Sequence, residues 1–311
     1  MGGQGQGIAS TKQLEGMAAA LEQCFTWPVS YIPQKIVSLV PSITESIIEL
    51  GFGDALLGIT SYCPEPMGER RIERVGGPAT IDIERIVRLA PDLIIAGLEE
   101  NSPLDLFQLV KRGIPVWIVF PTTVDETIWF LYQLSEGFRS KQAFLKVRSI
   151  EQLLEYVRSS WQEYSPDIRY FCPIWYEVNQ GQDVWMVFDD RTYAANLLSL
   201  FGAKNCFGRH DFEEENQPAF SEHQKIGIRD TRYDKICTET IIHANPNLIL
   251  LPSEPYPFDR INVQDLKQKF CGVTAVERNA IKQIDGKLIF WYGTRLGQAL
   301  QRLPFYFTDF E

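Results

Sequence analysis

Two carboxylates stand out by their spacing. Glu84 lies seven residues before Pro91, and Glu239 lies seven residues before Pro246. The matched segments are DIERIVRLAPDLIIA, from Asp82, and CTETIIHANPNLILL, from Cys237. In both, the proline is followed by Asp or Asn, then Leu-Ile and an apolar pair. A glutamate in the first turn of a helix complements the macrodipole. A proline ends the helix and sets up the strand. The pair therefore reads either as helix stabilisation or as two equivalent negative charges, one per repeat, presented to a partner.

Other reactive side chains are sparse. The histidines are His210, His223 and His243, all in the second half. A zinc- or manganese-type receptor needs His and carboxylate ligands from both halves, so direct metal ligation is not expected. His243 falls within a helix and reads as a surface or packed residue. The cysteines are Cys24, Cys63, Cys172, Cys206, Cys237 and Cys271, with no CxxC pair. Scattered singly, they read as reduced, mostly buried small hydrophobes. Cys63 follows a strand and is either a buried structural thiol or a nucleophilic or ligand-coordinating one. GGQGQG near the start has no strand before it, and no P-loop, GxSxG or HExxH occurs. No catalytic residues and no enzyme are expected.

The elements that position these residues alternate. KIVSLV (35–40) predicts a strand and PSITESIIELG (41–51) a helix closing on glycine. ALLGITSY (55–62) predicts a strand, 82–90 a helix, 92–97 a strand, 102–113 a helix, 115–120 a strand and 123–138 a helix. Such alternation argues for a parallel sheet covered by helices. Ala143, Val147, Ile150, Leu154, Val157 and Trp161 then mark one face of a single helix over 140–164. It would span roughly 37 Å and serve as a strut between lobes. Alternation restarts with a strand at 169–178, helices at 192–203 and 238–244, a strand at 247–252, a helix at 263–272, a strand in LIFWYG (288–293) and a helix at 295–303. Between them, 209–232 reads as a polar loop containing Glu213, Glu214 and Glu215.

The repeat divides the chain into a weakly structured leader (1–34), an N-terminal α/β lobe (35–139), the linking helix (140–164) and a C-terminal α/β lobe (165–311). A second echo, ESIIELG against NLLSLFG, supports duplication. A cleft between two lobes is a favoured ligand position. The 311 residues, 45% hydrophobic and 23% charged, suit two ordinary domains. A net charge of −10 argues against nucleic acid or an anionic membrane as partner. Residues 1–34 show no signal-peptide pattern. The expected location is cytoplasmic for the chain as given, and periplasmic or otherwise extracytoplasmic if its start is truncated or replaced.

IVSLVPSITESIIELGFGDALLGITSYC and GGPATIDIERIVRLAPDLIIAG resemble the N-terminal lobe of the vitamin B12 and ferric-siderophore substrate-binding proteins of ABC importers, the helical-backbone metal receptor superfamily. PIWYE, TYAANLLSLFGAKNCF, NPNLILLPSEPYPF and DGKLIFWYGTR are similar to its cobalamin-binding branch, so the resemblance covers about 35–303. It implies two Rossmann-like lobes with parallel sheets joined by one long rigid helix, the class III periplasmic-binding-protein fold. It implies a monomer that holds a corrinoid or chelated iron as ligand, without a covalent cofactor. Glu84 and Glu239 match the lobe-tip glutamates that dock on an ABC permease. Pro41, Ser42, Tyr62, Trp175, Tyr176, Trp185, Tyr233, Trp291, Tyr292 and Arg295 match ligand-lining positions. Pro78 and Gly97 stand where the cobalamin binder carries cleft tryptophans. The alternatives are a cytosolic carrier or sensor for the same ligands, and an enzyme that reuses the cleft.

Overall fold

The computed structural model describes residues 11–65, 72–162, 167–208, 230–261 and 263–308. The chain divides into two compact units. One comprises the residues up to 120 together with 130–145; the other comprises 121–129 and 146–311.

The first unit contains α1 (Thr11–Glu22), β1 (Ile36–Ser38), α2 (Pro41–Glu49), β2 (Leu56–Ile59), β3 (Glu73–Arg74), β4 (Gly76–Gly77), β5 (Thr80–Ile81), α3 (Ile83–Leu89), β6 (Leu93–Gly97), α4 (Pro103–Lys111) and β7 (Val116–Val119). Its main sheet has the order β3-β2-β1-β6-β7, every pairing parallel. All of β6 is buried, as expected of a parallel strand covered on both faces. Helices α5 (Val124–Gly137) and α6 (Lys141–Gln162) each run from one unit into the other.

The second unit contains β8 (Ile168–Phe171), β9 (Trp175–Asn179), β10 (Gln182–Phe188), α7 (Tyr193–Ser199), β11 (Ala203–Asn205), β12 (Tyr233–Cys237), α8 (Thr238–Ala244), β13 (Leu248–Pro252), α9 (Val263–Lys269), α10 (Thr274–Glu277), β14 (Ile281–Ile284), α11 (Lys287–Phe290) and α12 (Arg295–Arg302). Its parallel sheet, β11-β8-β13-β14, repeats the order β2-β1-β6-β7. A separate three-stranded antiparallel sheet, β12-β10-β9, stands where the described first unit has only the two-stranded antiparallel pair β4-β5.

The sequence repeat is a structural device. Ala90 and Asn245 end α3 and α8 in left-handed conformations, φ 47° and 46°. The next residue is proline, and the one after that locks the chain to the first parallel strand. Asp92 N–H donates to Lys35 O at 2.9 Å, while its carboxylate accepts from Gln34 N–H at 2.8 Å and Lys35 N–H at 3.0 Å. Asn247 N–H donates to Arg169 O at 2.9 Å, while its Oδ1 accepts from Arg169 N–H at 2.8 Å.

Three expectations need correction. The leader is not weakly structured over 11–34: α1 buries Met17 and Leu21 and packs on α4. Trp27 meets Trp117 edge-on at 4.9 Å. Gly137 makes the room, since a Cβ there would stand 2.2 Å from the Trp27 ring. Residues 169–178 are not one strand, because Cys172-Pro173 separates β8 from β9, which belongs to the other sheet; proline interrupts a ladder. LIFWYG is not a strand. Its apolar run forms α11, which buries Leu288 and Ile289, and the strand is the preceding IKQI of β14. Trp185 lies within β10. The expected polar loop falls mostly on 209–229, outside the described residues, as do His210, His223 and the three glutamates at 213–215.

Candidate functional site

An open parallel sheet binds ligands beyond the carboxyl ends of its strands, at the point where strand order reverses. In the first unit that point lies between β1 and β6. Pro41 and Ser42 follow β1 at the first turn of α2. Ser42 is buried, and its hydroxyl has no hydrogen-bond partner among the described residues. Asn101, also buried, ties three segments together. Its Nδ2 donates to Leu39 O at 3.2 Å and to Pro78 O at 2.9 Å, and its Oδ1 accepts from Gly97 N–H at 2.9 Å. A Cβ at Gly97 would stand 2.0 Å from Glu100 Oε2 and 2.9 Å from Val40 Cγ2, so those side chains would have to shift.

Tyr62 follows β2 and is 76% exposed, the most exposed large apolar or aromatic side chain among the described residues. Its neighbour Cys63 is buried, with Sγ 3.1 Å from Thr44 Oγ1 and 3.0 Å from Thr60 Oγ1. Burial pushes the Cys63 thiol up despite those bonds and the Arg74 charge. A thiol that keeps its proton is a poor nucleophile, which favours the structural reading of Cys63.

In the second unit the corresponding point lies between β8 and β13. Trp175, 44% exposed, begins β9 just beyond β8 and meets Tyr256 edge-on at 5.3 Å. Tyr176 is half-buried. Its hydroxyl donates to Asp183 Oδ1 at 2.5 Å and accepts from Lys269 Nζ at 3.1 Å. Beyond β13, the half-buried Glu254 receives a hydrogen bond from the Trp291 side chain. Burial pushes the Glu254 carboxyl up, opposed by Lys287, Trp291 and Arg295 and reinforced by Asp285. Lys287 Nζ lies 4.7 Å and Arg295 Cζ 5.8 Å from the Trp291 ring centre. Sequence reasoning missed Glu254, Tyr256 and Asn101. The end of each central parallel strand is the signal that would have marked them.

Two expected contacts are interior side chains. Trp185 is 0% exposed, packs among Phe171, Phe258 and Phe270, and donates Nε1–H to Thr238 Oγ1 at 3.1 Å. It is buried because β10 turns it inward against β13, in the core of the unit. Tyr292 is buried against Tyr193, with ring centres 6.1 Å apart. Tyr233 begins β12, half-buried, with the Arg232 guanidinium 5.4 Å from its ring.

Both repeat glutamates are exposed in the first turn of their helices. Asp82 caps α3 by accepting from Arg85 N–H at 2.9 Å, so Glu84 is not the cap. A hydrogen bond with the Cys237 side chain is the main influence holding the Glu239 carboxyl below its usual range. His243 is exposed in the last turn of α8, where a basic group complements the dipole. Among the described residues no cluster of three or more His, Cys, Asp or Glu could hold a metal ion, and no helix is long and apolar enough to cross a membrane.

Duplicated parallel α/β units with aromatic and charged residues at their strand ends define an α/β binding-protein class. The Periplasmic binding protein family matches residues 36–288, and the chain belongs to it. Among its relatives is a vitamin B12-binding protein of Pectobacterium atrosepticum, 28% identical over 177 residues, which are 57% of this chain and 63% of that one. A vitamin B12-binding protein of Yersinia pestis is 29% identical over 175 residues, 56% and 60% of the two chains. The match thus spans a little under two thirds of these relatives' length. The fold is that of the periplasmic vitamin B12 binding protein of Vibrio cholerae, at a TM-score of 0.70 and 20% identity over 90% of this chain and 98% of that one. A periplasmic heme-binding protein from Roseiflexus sp. RS-1 is similar at a TM-score of 0.69 and 20% identity, over 89% and 98%.

Proposed function

We propose that this protein is the substrate-binding component of an ABC-type importer and that it holds a corrinoid or a chelated-iron compound such as a heme. The observation that carries the reading is a set of aromatic residues in a member of this family: Tyr62 after β2 in the first unit, and in the second Trp175 at the start of β9 and Trp291 at the end of α11. Tyrosine and tryptophan offer flat apolar area with a polar handle, which suits a large conjugated ligand. Pro41, Ser42, Tyr176, Tyr233, Glu254 and Arg295 are proposed to complete the contacts, and Glu84 and Glu239 to dock on permease arginines. The proposed protein is a monomer outside the cytoplasmic membrane, with no catalytic step.

Thermal-shift titration with cobalamin, cobinamide, heme and ferric siderophores tests this. A true ligand stabilises by RT ln(1 + [L]/Kd), about 2.7 kcal/mol at a hundredfold excess over Kd. Stabilisation by at least one of the four supports the reading, and no shift with any of them sinks it. Fractionation of the native host then separates import from carriage. A wholly cytosolic protein would rule out delivery to a permease.

A further inference from the structure

The loop that carries Tyr62 is held from two sides. From within the unit, Cys63 is seated on Thr44 and Thr60, and Thr44 Oγ1 in turn lies 2.8 Å from Ser38 Oγ. From outside, Arg74 gathers the loop's backbone. Its Nη1 donates to Thr60 O at 2.7 Å and to Cys63 O at 3.0 Å, with Ser61 O at 3.4 Å. Its Nη2 meets Glu65 Oε1 at 2.7 Å. Arg74 is itself fixed, because Arg85 Nη1 donates to its carbonyl at 2.7 Å and β3 pairs with β2. Two more bonds close the turn, Ser61 N–H to Gly76 O at 2.9 Å and Cys63 N–H to Thr60 O at 3.2 Å. An exposed loop without function does not need this many anchors, and loops are ordinarily mobile. Here the backbone is fixed on both sides of Tyr62, the most exposed aromatic among the described residues, whose own ring is left in solvent.

We propose that Arg74 is a positioning residue for ligand recognition: it presents the Tyr62 ring, in advance of binding, to a flat conjugated ligand. The inference rests on the binding function proposed above. Carbonyl oxygens that converge on one guanidinium form charge-assisted bonds. Methionine keeps the apolar stem and supplies no donor, so the loop would have to be ordered at the moment of binding.

The test is a double-mutant cycle of Arg74→Met and Tyr62→Ala, with the probe, cyanocobalamin or hemin, that stabilises the wild-type protein. Arg74→Met is expected to raise Kd about tenfold when Tyr62 is present and less than twofold in the Tyr62→Ala background. Equal losses in both backgrounds, or no loss from either single change, would overturn the proposal. Hydrogen exchange of the Ser61 and Cys63 amides, measured without ligand, gives a second readout. Arg74→Met should speed it at least tenfold while amides of β6 stay protected; unchanged exchange would also overturn the proposal. If neither probe binds the wild-type protein, the cycle is run with whichever of cobinamide and the ferric siderophores does; if none of these binds, the binding function fails and the exchange result still decides whether Arg74 holds the loop. Should Arg74→Met fail to fold, Arg74→Lys, which keeps one donor group, must show the same coupling with smaller loss.

Discussion

The Glu84 carboxylate sits 2.5 Å from Arg112 Nη2, at the surface of the first unit. Glu239, its counterpart in the repeat, is engaged instead by the side chain of Cys237 at the start of its own helix. The exposed Glu84–Arg112 pair contributes little, about 0–1 kcal/mol, to folding. Reversal of both glutamates to arginine should therefore leave the melting temperature and ligand Kd nearly unchanged while abolishing uptake by the host. Loss of ligand binding in that variant would overturn the docking assignment.

Gly286 is held against the segment after β13. A Cβ there would stand 2.3 Å from Glu254 O and 2.9 Å from Glu254 N, both backbone atoms that a rotamer change cannot clear. Gly286→Ala should cost about 1–3 kcal/mol by overpacking, visible as a lower urea midpoint. It should also weaken binding, because Glu254 moves. An unchanged midpoint would mean the loop yields freely.

Glu254 makes stability depend on pH in a defined direction. Its folded-state carboxyl is raised, chiefly by burial. Its stabilising contribution is therefore complete below the unfolded value, about pH 4, and is lost as pH rises through the higher folded value. Glu254→Gln keeps an acceptor for Trp291 and removes the titration. The variant should gain stability relative to wild type as pH increases from 4, read from urea melts in a pH series. A constant difference across the series would contradict the buried carboxyl.

Trp185 and Trp291 should separate core from site. Trp185→Phe loses volume and the bond to Thr238 in a closed core, so it should cost about 1–3 kcal/mol and leave Kd within about twofold. Trp291→Ala should raise Kd at least tenfold. If Trp185→Phe is the change that abolishes binding, the interior placement of Trp185 is not its whole role.

Asp92 and Asn247 do equivalent work in the two units, so Asp92→Ala and Asn247→Ala should each cost about 1–2 kcal/mol. Asp92→Ala removes the side-chain acceptor of the Gln34 and Lys35 N–H groups just before β1, and Asn247→Ala that of the Arg169 N–H in β8. A negligible cost from either, by chemical denaturation, would reduce the repeat to a relic of duplication.

The parallel framework was legible because its central strands are covered on both faces. LIIAG of β6 and LILLP of β13 are continuous apolar runs, and a helix ending before proline precedes each. The antiparallel sheet was not legible. WYEVN and QDVWMVF mix polar and aromatic residues, and Trp185 could not be told from a rim residue until the pairing of β10 with β9 and β12 fixed its inward face. LIFWYG failed because a short apolar run has no periodicity to distinguish strand from buried helix. At the site, the aromatics were visible as residue types, but the side chains that hold them are distributed along the chain. Arg74 holds the Tyr62 loop through backbone carbonyls and Glu254 accepts from the Trp291 side chain, bonds that no spacing rule encodes.

The Arg74 clasp also bears on time. Its main backbone partners, Thr60 and Cys63, are only 14 and 11 residues away in sequence, so the proposed clasp closes a short, local loop. If Tyr62 receives the ligand as proposed, an arriving compound would have no chain to wait for, and capture would proceed at the rate set by diffusion and orientation, about 10⁵–10⁷ M⁻¹s⁻¹. Preference for one ligand over another would then rest on residence, the right compound staying longer while the wrong one arrives as quickly and leaves.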